Sequence, residues 1–285
     1  MFASSDLNAC AALVERGDPE RFLAVMAAPV EARQGLFPLF AFNLEVARAP
    51  WVTQQPMLAE MRLQWWSEAL SEIAQKKNVR RHEVVTPLAA LIDARAAVFL
   101  QDLISARRWD IYHDPFQTVA EFEHYIDCTS GHLLVVAAGL LGGSDPQVIR
   151  DFAFAAGLAN WFRAVPQFLA QQRHPLVDLS SGSLRALAEQ GLMRLALARK
   201  KRRAVSSGSG VALLCGWQAQ SYLTEAFDHP DRVLLGLRGP RPFVSKARLL
   251  AQTNVAAYAR LLIVEPRKDT PDQLHAFLLA NPLAV

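Results

Sequence analysis

Asn160, Arg163 and Gln167 follow one another at roughly one-turn spacing in Gly157-Leu-Ala-Asn-Trp-Phe-Arg-Ala-Val-Pro-Gln-Phe168, so on a helix they form one polar stripe along an apolar surface. Such a stripe costs free energy unless it is paired or wet. Two roles fit: a structural network reaching the facing Glu45 or Arg48, or a grip on a phosphate or other anion through the Arg163 guanidinium. Pro166 lies inside the segment and predicts a kink that turns carbonyls toward a cavity. A second stretch, Tyr125-Ile-Asp-Cys-Thr-Ser-Gly-His-Leu-Leu134, sets Thr129, Ser130 and Gly131 before a long apolar run. Small side chains there let another group approach the backbone, which serves either tight helix packing or the wall of an apolar ligand tunnel.

Other chemistries lack their residues. His113, His124, His132 and His174 show no metal-ligand spacing, and no HExxH, CxxC, GxSxG, Walker loop or GxGxxG occurs. Zinc hydrolysis, serine hydrolysis and nucleotide binding are therefore unsupported. Trp65 and Trp66, beside Arg62 and Gln64, read as core or interface anchors, with a ligand box as the alternative. Arg199-Lys-Lys-Arg-Arg203 puts cations where the helix dipole favours them; attraction to anionic lipid or an acidic protein patch is the other reading.

The elements that must position these groups are helices. Apolar residues recur every three or four positions between prolines, and alternation with period two is hard to find. Asp6 is expected to cap a first helix ending at Gly17, and Asp18-Pro19-Glu20 to open a second. Long helices are expected over 29–49, kinked near Pro38, and 56–75, then over 86–106, 118–141, 146–172, 183–203, 208–228, 244–263 and 271–280. With 285 residues, 52% of them hydrophobic and 20% charged, the chain can bury a full core and is too apolar for disorder. The formal charge of +3 falls short of a nucleic-acid footprint, so no nucleic-acid partner is expected. Cys10, Cys128 and Cys215 are odd in number, widely spaced and set among apolar neighbours, which fits buried thiols better than disulfides. Met1-Phe-Ala-Ser-Ser-Asp-Leu has neither a basic nor an apolar leader region, and no apolar run reaches the roughly 20 residues of a membrane helix.

Phe40-Ala-Phe-Asn43, Arg62-Leu-Gln-Trp-Trp66, Tyr125 to Leu134 and Gly157 to Arg163, in that order and spacing, resemble the squalene/phytoene synthase family over roughly residues 20–265. The resemblance implies an all-α, single-domain class I isoprenoid synthase bundle, residues 1–285, around a central cavity for two prenyl diphosphates. Catalysis in that family depends on two aspartate-rich helix motifs that hold Mg²⁺ against the departing diphosphate. Here the first motif falls on Ala47, Arg48 and Trp51; the second keeps Asn160 and Arg163 but has Ala164 and Phe168 at its acidic positions. The resemblance thus implies no catalytic residue, no metal ligand and no cofactor.

What remains is a degenerate ligand cavity of Glu45, Arg48, Tyr125, Asp127, Gly131, Asn160, Arg163 and Gln167. Mg²⁺ enters only if Glu45, Asp127 and Asn160 form a reduced site for a prenyl transferase. A metal-free prenyl-lipid carrier is the third reading, with Arg48 and Arg163 on the anionic head and Tyr125 with Thr129 to Gly131 along the tail. The combination of Ala-Phe-Asn-Leu-Glu, Arg-x-Gln-Trp-Trp and lost acidic motifs is similar to the branch of the family that assists assembly of respiratory complex I. This implies a non-catalytic factor whose partner is a respiratory complex subunit or assembly protein, with an isoprenoid lipid as candidate ligand. It also implies a location in the cytoplasm or peripherally on the inner membrane.

Overall fold

The computed structural model describes residues 3–240, apart from Gln54 and His113, together with Leu249. The helices expected over 244–263 and 271–280 lie outside the described residues. Within them the chain forms helices α1 Ser4–Gly17, α2 Pro19–Met26, α3 Val30–Arg48, α4 Pro56–Ala74, α5 Val85–Ala89, α6 Ala94–Arg107 and α7 Trp109–Tyr112. They continue as α8 Val119–Ile126, α9 His132–Leu141, α10 Pro146–Ala170, α11 Ser181–Lys200, α12 Ser207–Ala212, α13 Ala219–Asp228 and α14 Asp231–Leu235. No strand occurs among the described residues; an isolated antiparallel bridge joins Ser144 to Val205. The fold is all-α, and no described helix is long and apolar enough to cross a membrane.

Local chemistry sets most helix starts. Asp18 accepts from the Arg21 N–H with Pro19 at the first helical position, and Asp145 does the same for Gln147 ahead of Pro146. Asp93, Thr118, Ser180 and Ser206 cap α6, α8, α11 and α12 in the same manner. Both α3 and α10 continue through their internal prolines, Pro38 and Pro166.

Asp6 departs from expectation. It sits inside α1, 5% exposed, and receives two hydrogen bonds from Arg81, at 2.8 and 2.9 Å, while Ala3 holds the cap position. The segment 86–106 divides into α5 and α6, and 208–228 into α12, a 3-10 turn over Leu213–Gly216 and α13.

Helix α10 is the spine. It packs on α11, α13 and the segment 127–131, while α1 lies on α3, α4 on α6 and α9 on α12. Its small residues permit this closeness: a Cβ added at Gly157 would sit 2.5 Å from Ser130 Oγ and 2.9 Å from Ile126 Cγ2. The small residues flanking Thr129 therefore serve helix packing on that side.

Segment Asp127–Gly131 is a π-helical turn between α8 and α9, in which the His132 N–H donates to the Asp127 carbonyl five residues back. Thr129 Oγ1 donates to the Tyr125 carbonyl at 2.7 Å. Trp66 is buried edge-on to Phe42, with ring centres 5.5 Å apart, and Trp65 carries Arg80 over its ring at 5.0 Å, so the tryptophan pair anchors the core. All three cysteines are free. Burial, with the charges of Glu83 and Asp6, pushes the Cys10 thiol up to about 12, and burial lifts Cys215 to about 11.

Candidate functional site

A cleft of about 880 Å³ opens between the α1–α2 junction, the end of α3, α7, the π turn and α10. Each wall follows from one element's periodicity. From α3 and the 3-10 turn after it come Leu44, Ala47, Arg48 and Trp51, spaced as one helical face; from α10 come Gly157, Asn160, Trp161, Ala164, Gln167 and Phe168.

The floor is a buried triad. Arg107 Nη1 donates to Asp110 Oδ2 at 3.1 Å and to Tyr125 Oη at 2.8 Å, and Tyr125 Oη donates to Asp110 Oδ1 at 2.9 Å. Asp110 is 1% exposed. Burial opposes the Arg107 charge, but Tyr125 and Asp110 outweigh it and hold the guanidinium above its ordinary pKa. Burial pushes the Tyr125 phenol well up; Arg107 pulls against that and Asp110 adds to it.

The rim is also paired. Arg163 grips Glu20 with two bonds, at 2.6 and 3.0 Å, touches Asn160 Oδ1 at 3.3 Å and lies 4.7 Å over the Tyr222 ring. Asp18 caps α2 and pairs with Arg21 at 3.2 Å. Every carboxylate lining the cleft, Asp18, Glu20 and Asp110, thus faces an arginine. Arginines outnumber them: Arg48 reaches no carboxylate nearer than Glu45 at 3.9 Å, and Arg16 has no ion-pair partner among the described residues. No described group of three or more His, Cys, Asp or Glu side chains is placed to hold a metal ion.

Of the residues singled out from the sequence, the structure brings Arg48, Tyr125, Asn160, Arg163 and Gln167 to this cleft. It does not bring Glu45, Asp127 or Gly131. Glu45 lies about 100° around α3 from the stripe that faces the cleft. Asp127 pairs with Arg150 and opens, with His124, Cys128 and His132, onto a second cavity that Tyr125 also lines. Gly131, one turn on from Asp127, packs against that carboxylate. The expected network from the α10 stripe to Glu45 or Arg48 is replaced by Arg163 with Glu20, on α2.

Sequence reasoning passed over Arg107, Asp110, Glu20 and Asp18. Arg107 and Asp110 stand three apart, a spacing used on any helix surface, so nothing local marks them as buried.

The model of the family described as squalene/phytoene synthase matches residues 14–178. A protein of Drosophila melanogaster named as a homolog of assembly factor 6 of NADH dehydrogenase (ubiquinone) complex I is 28% identical over 195 residues, 65% of this chain and 58% of that protein. The Bos taurus protein named as assembly factor 6 of that complex is 23% identical over 235 residues, 77% of this chain and 67% of its own length. The chain spans about half to two thirds of the length of the relatives it matches. Among solved structures, a dehydrosqualene synthase with bound ligand superposes with a TM-score of 0.66 at 14% identity, covering 97% of both chains. A squalene synthase of Alicyclobacillus acidocaldarius also gives 0.66 at 14% identity, over 78% of this chain and 93% of its own. These structural likenesses concern the helical fold, and the family match over more than half the sequence places the chain in the squalene/phytoene synthase family.

Proposed function

We propose that this chain assists the assembly of respiratory complex I and transfers no prenyl group itself. The observation that carries the reading is the charge pairing of the cleft: Asp18, Glu20 and Asp110 are each engaged by an arginine. Mg²⁺ is a hard cation that takes oxygen ligands in near-octahedral geometry. Drawing any of these carboxylates onto a metal would strip a guanidinium of its partner, and for the buried Arg107 that is costly. The relatives named as complex I assembly factors support the biological role, with a subunit of the complex or another assembly protein as partner. Deleting the gene in its host should reduce assembled complex I on native gels together with NADH:quinone activity, both restored by the wild-type copy. Unchanged complex I, or turnover of farnesyl or geranylgeranyl diphosphate by the purified chain with Mg²⁺, would overturn the proposal.

The excess of arginine favours a second reading that is compatible with the first. Arg48, with only Glu45 at 3.9 Å, and Arg16, in no ion pair among the described residues, lie in the cleft with Leu44, Leu133, Trp161 and Phe168. An anionic head with an apolar, isoprenoid-like tail matches that pairing of charge and apolar surface. Native mass spectrometry of protein from its own host should show such a lipid bound, and Arg48→Ala should lower its occupancy. A chain that arrives empty, or occupancy untouched by the substitution, would remove the reading.

A further inference from the structure

Trp51, Val52, Met57, Leu58 and Met61 are all exposed, Met57 by 75% and Met61 by 61%, within eleven residues spanning the 3-10 turn and the first turns of α4. Exposed apolar residues scattered singly need no explanation, but a contiguous group does. Met57 and Met61 are one turn apart and Leu58 is three before Met61, so the three tips share one side of α4. Tyr112, 56% exposed, meets the same region through Glu60.

The charges around this patch are unbalanced toward arginine. Glu60 is taken by Arg108 at 3.0 Å. Arg62, exposed one turn beyond Leu58, has no ion-pair partner among the described residues. Arg48 is 56% exposed with its nearest carboxylate at 3.9 Å, and Arg173 lies 3.9 Å over the Trp51 ring, within electrostatic reach of Asp110 but in no ion pair among the described residues. Flexible apolar tips, a tryptophan and a tyrosine, and surrounding arginines form the combination that inserts shallowly into a bilayer and meets anionic headgroups.

We propose that this face, the Ala49–Trp51 turn with the N-terminal turns of α4, docks the chain on an anionic phospholipid surface. Trp51 also lines the central cleft. Docking would therefore set one wall of the cleft against the lipid, giving an amphiphile a direct route between bilayer and cleft. The inference stands on the patch and its charges, independently of the assembly role: a chain that binds vesicles need not affect complex I, and the reverse also holds.

The test is co-sedimentation of the full chain with vesicles of phosphatidylcholine alone and with about 30 mol% phosphatidylglycerol added. Binding should appear with the anionic vesicles and weaken with salt. Met57→Ser with Met61→Ser should weaken it by about tenfold or more, because two apolar side chains lose their burial in lipid. Arg62→Glu should weaken it as well. Val98→Ser, at a 58% exposed position on α6, should bind like the wild type, and circular dichroism should be unchanged in all of them. Failure to bind either vesicle, which is what a protein partner or residues 241–285 covering this face would produce, overturns the proposal. So does equal binding to neutral and anionic vesicles, or a methionine double variant that binds like the wild type.

Discussion

Asp110→Ala should destabilise the chain by about 3–5 kcal/mol, measured as the free energy of urea unfolding. The loss of an interaction is the smaller part of this effect. Asp110 is 1% exposed and bonds to both Arg107 and Tyr125, so its removal leaves a largely buried guanidinium facing a phenol with no carboxylate between them. Breaking a buried ion pair from one side costs this much because the remaining charge stays desolvated. Replacing Arg107 and Asp110 together by leucine should cost less than the sum of the single leucine replacements, since the pair then leaves as a unit. Tyr125→Phe should cost about 1–3 kcal/mol, the usual result when a hydrogen-bonded buried hydroxyl is removed from its partners. A loss under about 1 kcal/mol for Asp110→Ala would show that cleft water can hydrate Arg107, and the triad would then lose its structural role.

Trp161→Ala carries an effect of similar size by a different route. The Trp161 ring lies 4.8 Å from Phe168, 5.2 Å from Tyr125, and 5.6 Å from both Trp109 and Phe122, centre to centre. Its Nε1–H donates to the Pro175 carbonyl at 3.0 Å. Truncation removes a 6% exposed ring from the middle of this cluster and leaves a carbonyl unpaired, at about 3–5 kcal/mol. Trp161→Phe should retain most of the packing and lose the hydrogen bond, so it should fall between wild type and alanine. The same ring forms part of the cleft wall, and the alanine variant should therefore accept bulkier apolar molecules, read as stabilisation by added ligand. If alanine cost under about 2 kcal/mol, the neighbouring rings would have to collapse into the space, and the cleft would be softer than its packing indicates.

The metal question turns on the same pairs. Ala47, Arg48 and Trp51, with Ala164 and Phe168, stand on the two walls of one cleft. The acids that do reach it come from α2, its cap and α7, and each already neutralises an arginine. The cleft is better suited to anions held by guanidinium groups than to a cation held by carboxylates.

The helical class, the starts of α2 and α10 at Asp-Pro, and the polar stripe of Asn160, Arg163 and Gln167 are legible in residue order. These rest on contacts within one turn, where period and capping chemistry act alone.

The remaining features come from packing between segments far apart in the chain. The partner of Arg163 is Glu20, 143 residues away, and no helical spacing selects it over Glu45. Asp6 has the composition of a cap but is claimed by Arg81, 75 residues on, because burial makes a bidentate partner worth more than a cap. The π turn at Asp127–Gly131 arises where Ser130 meets Gly157 of α10, and the buried triad exists because α6, α7 and α8 converge there. Such groups are brought together by packing of distant segments, and their energies depend on a burial that local residue order does not encode.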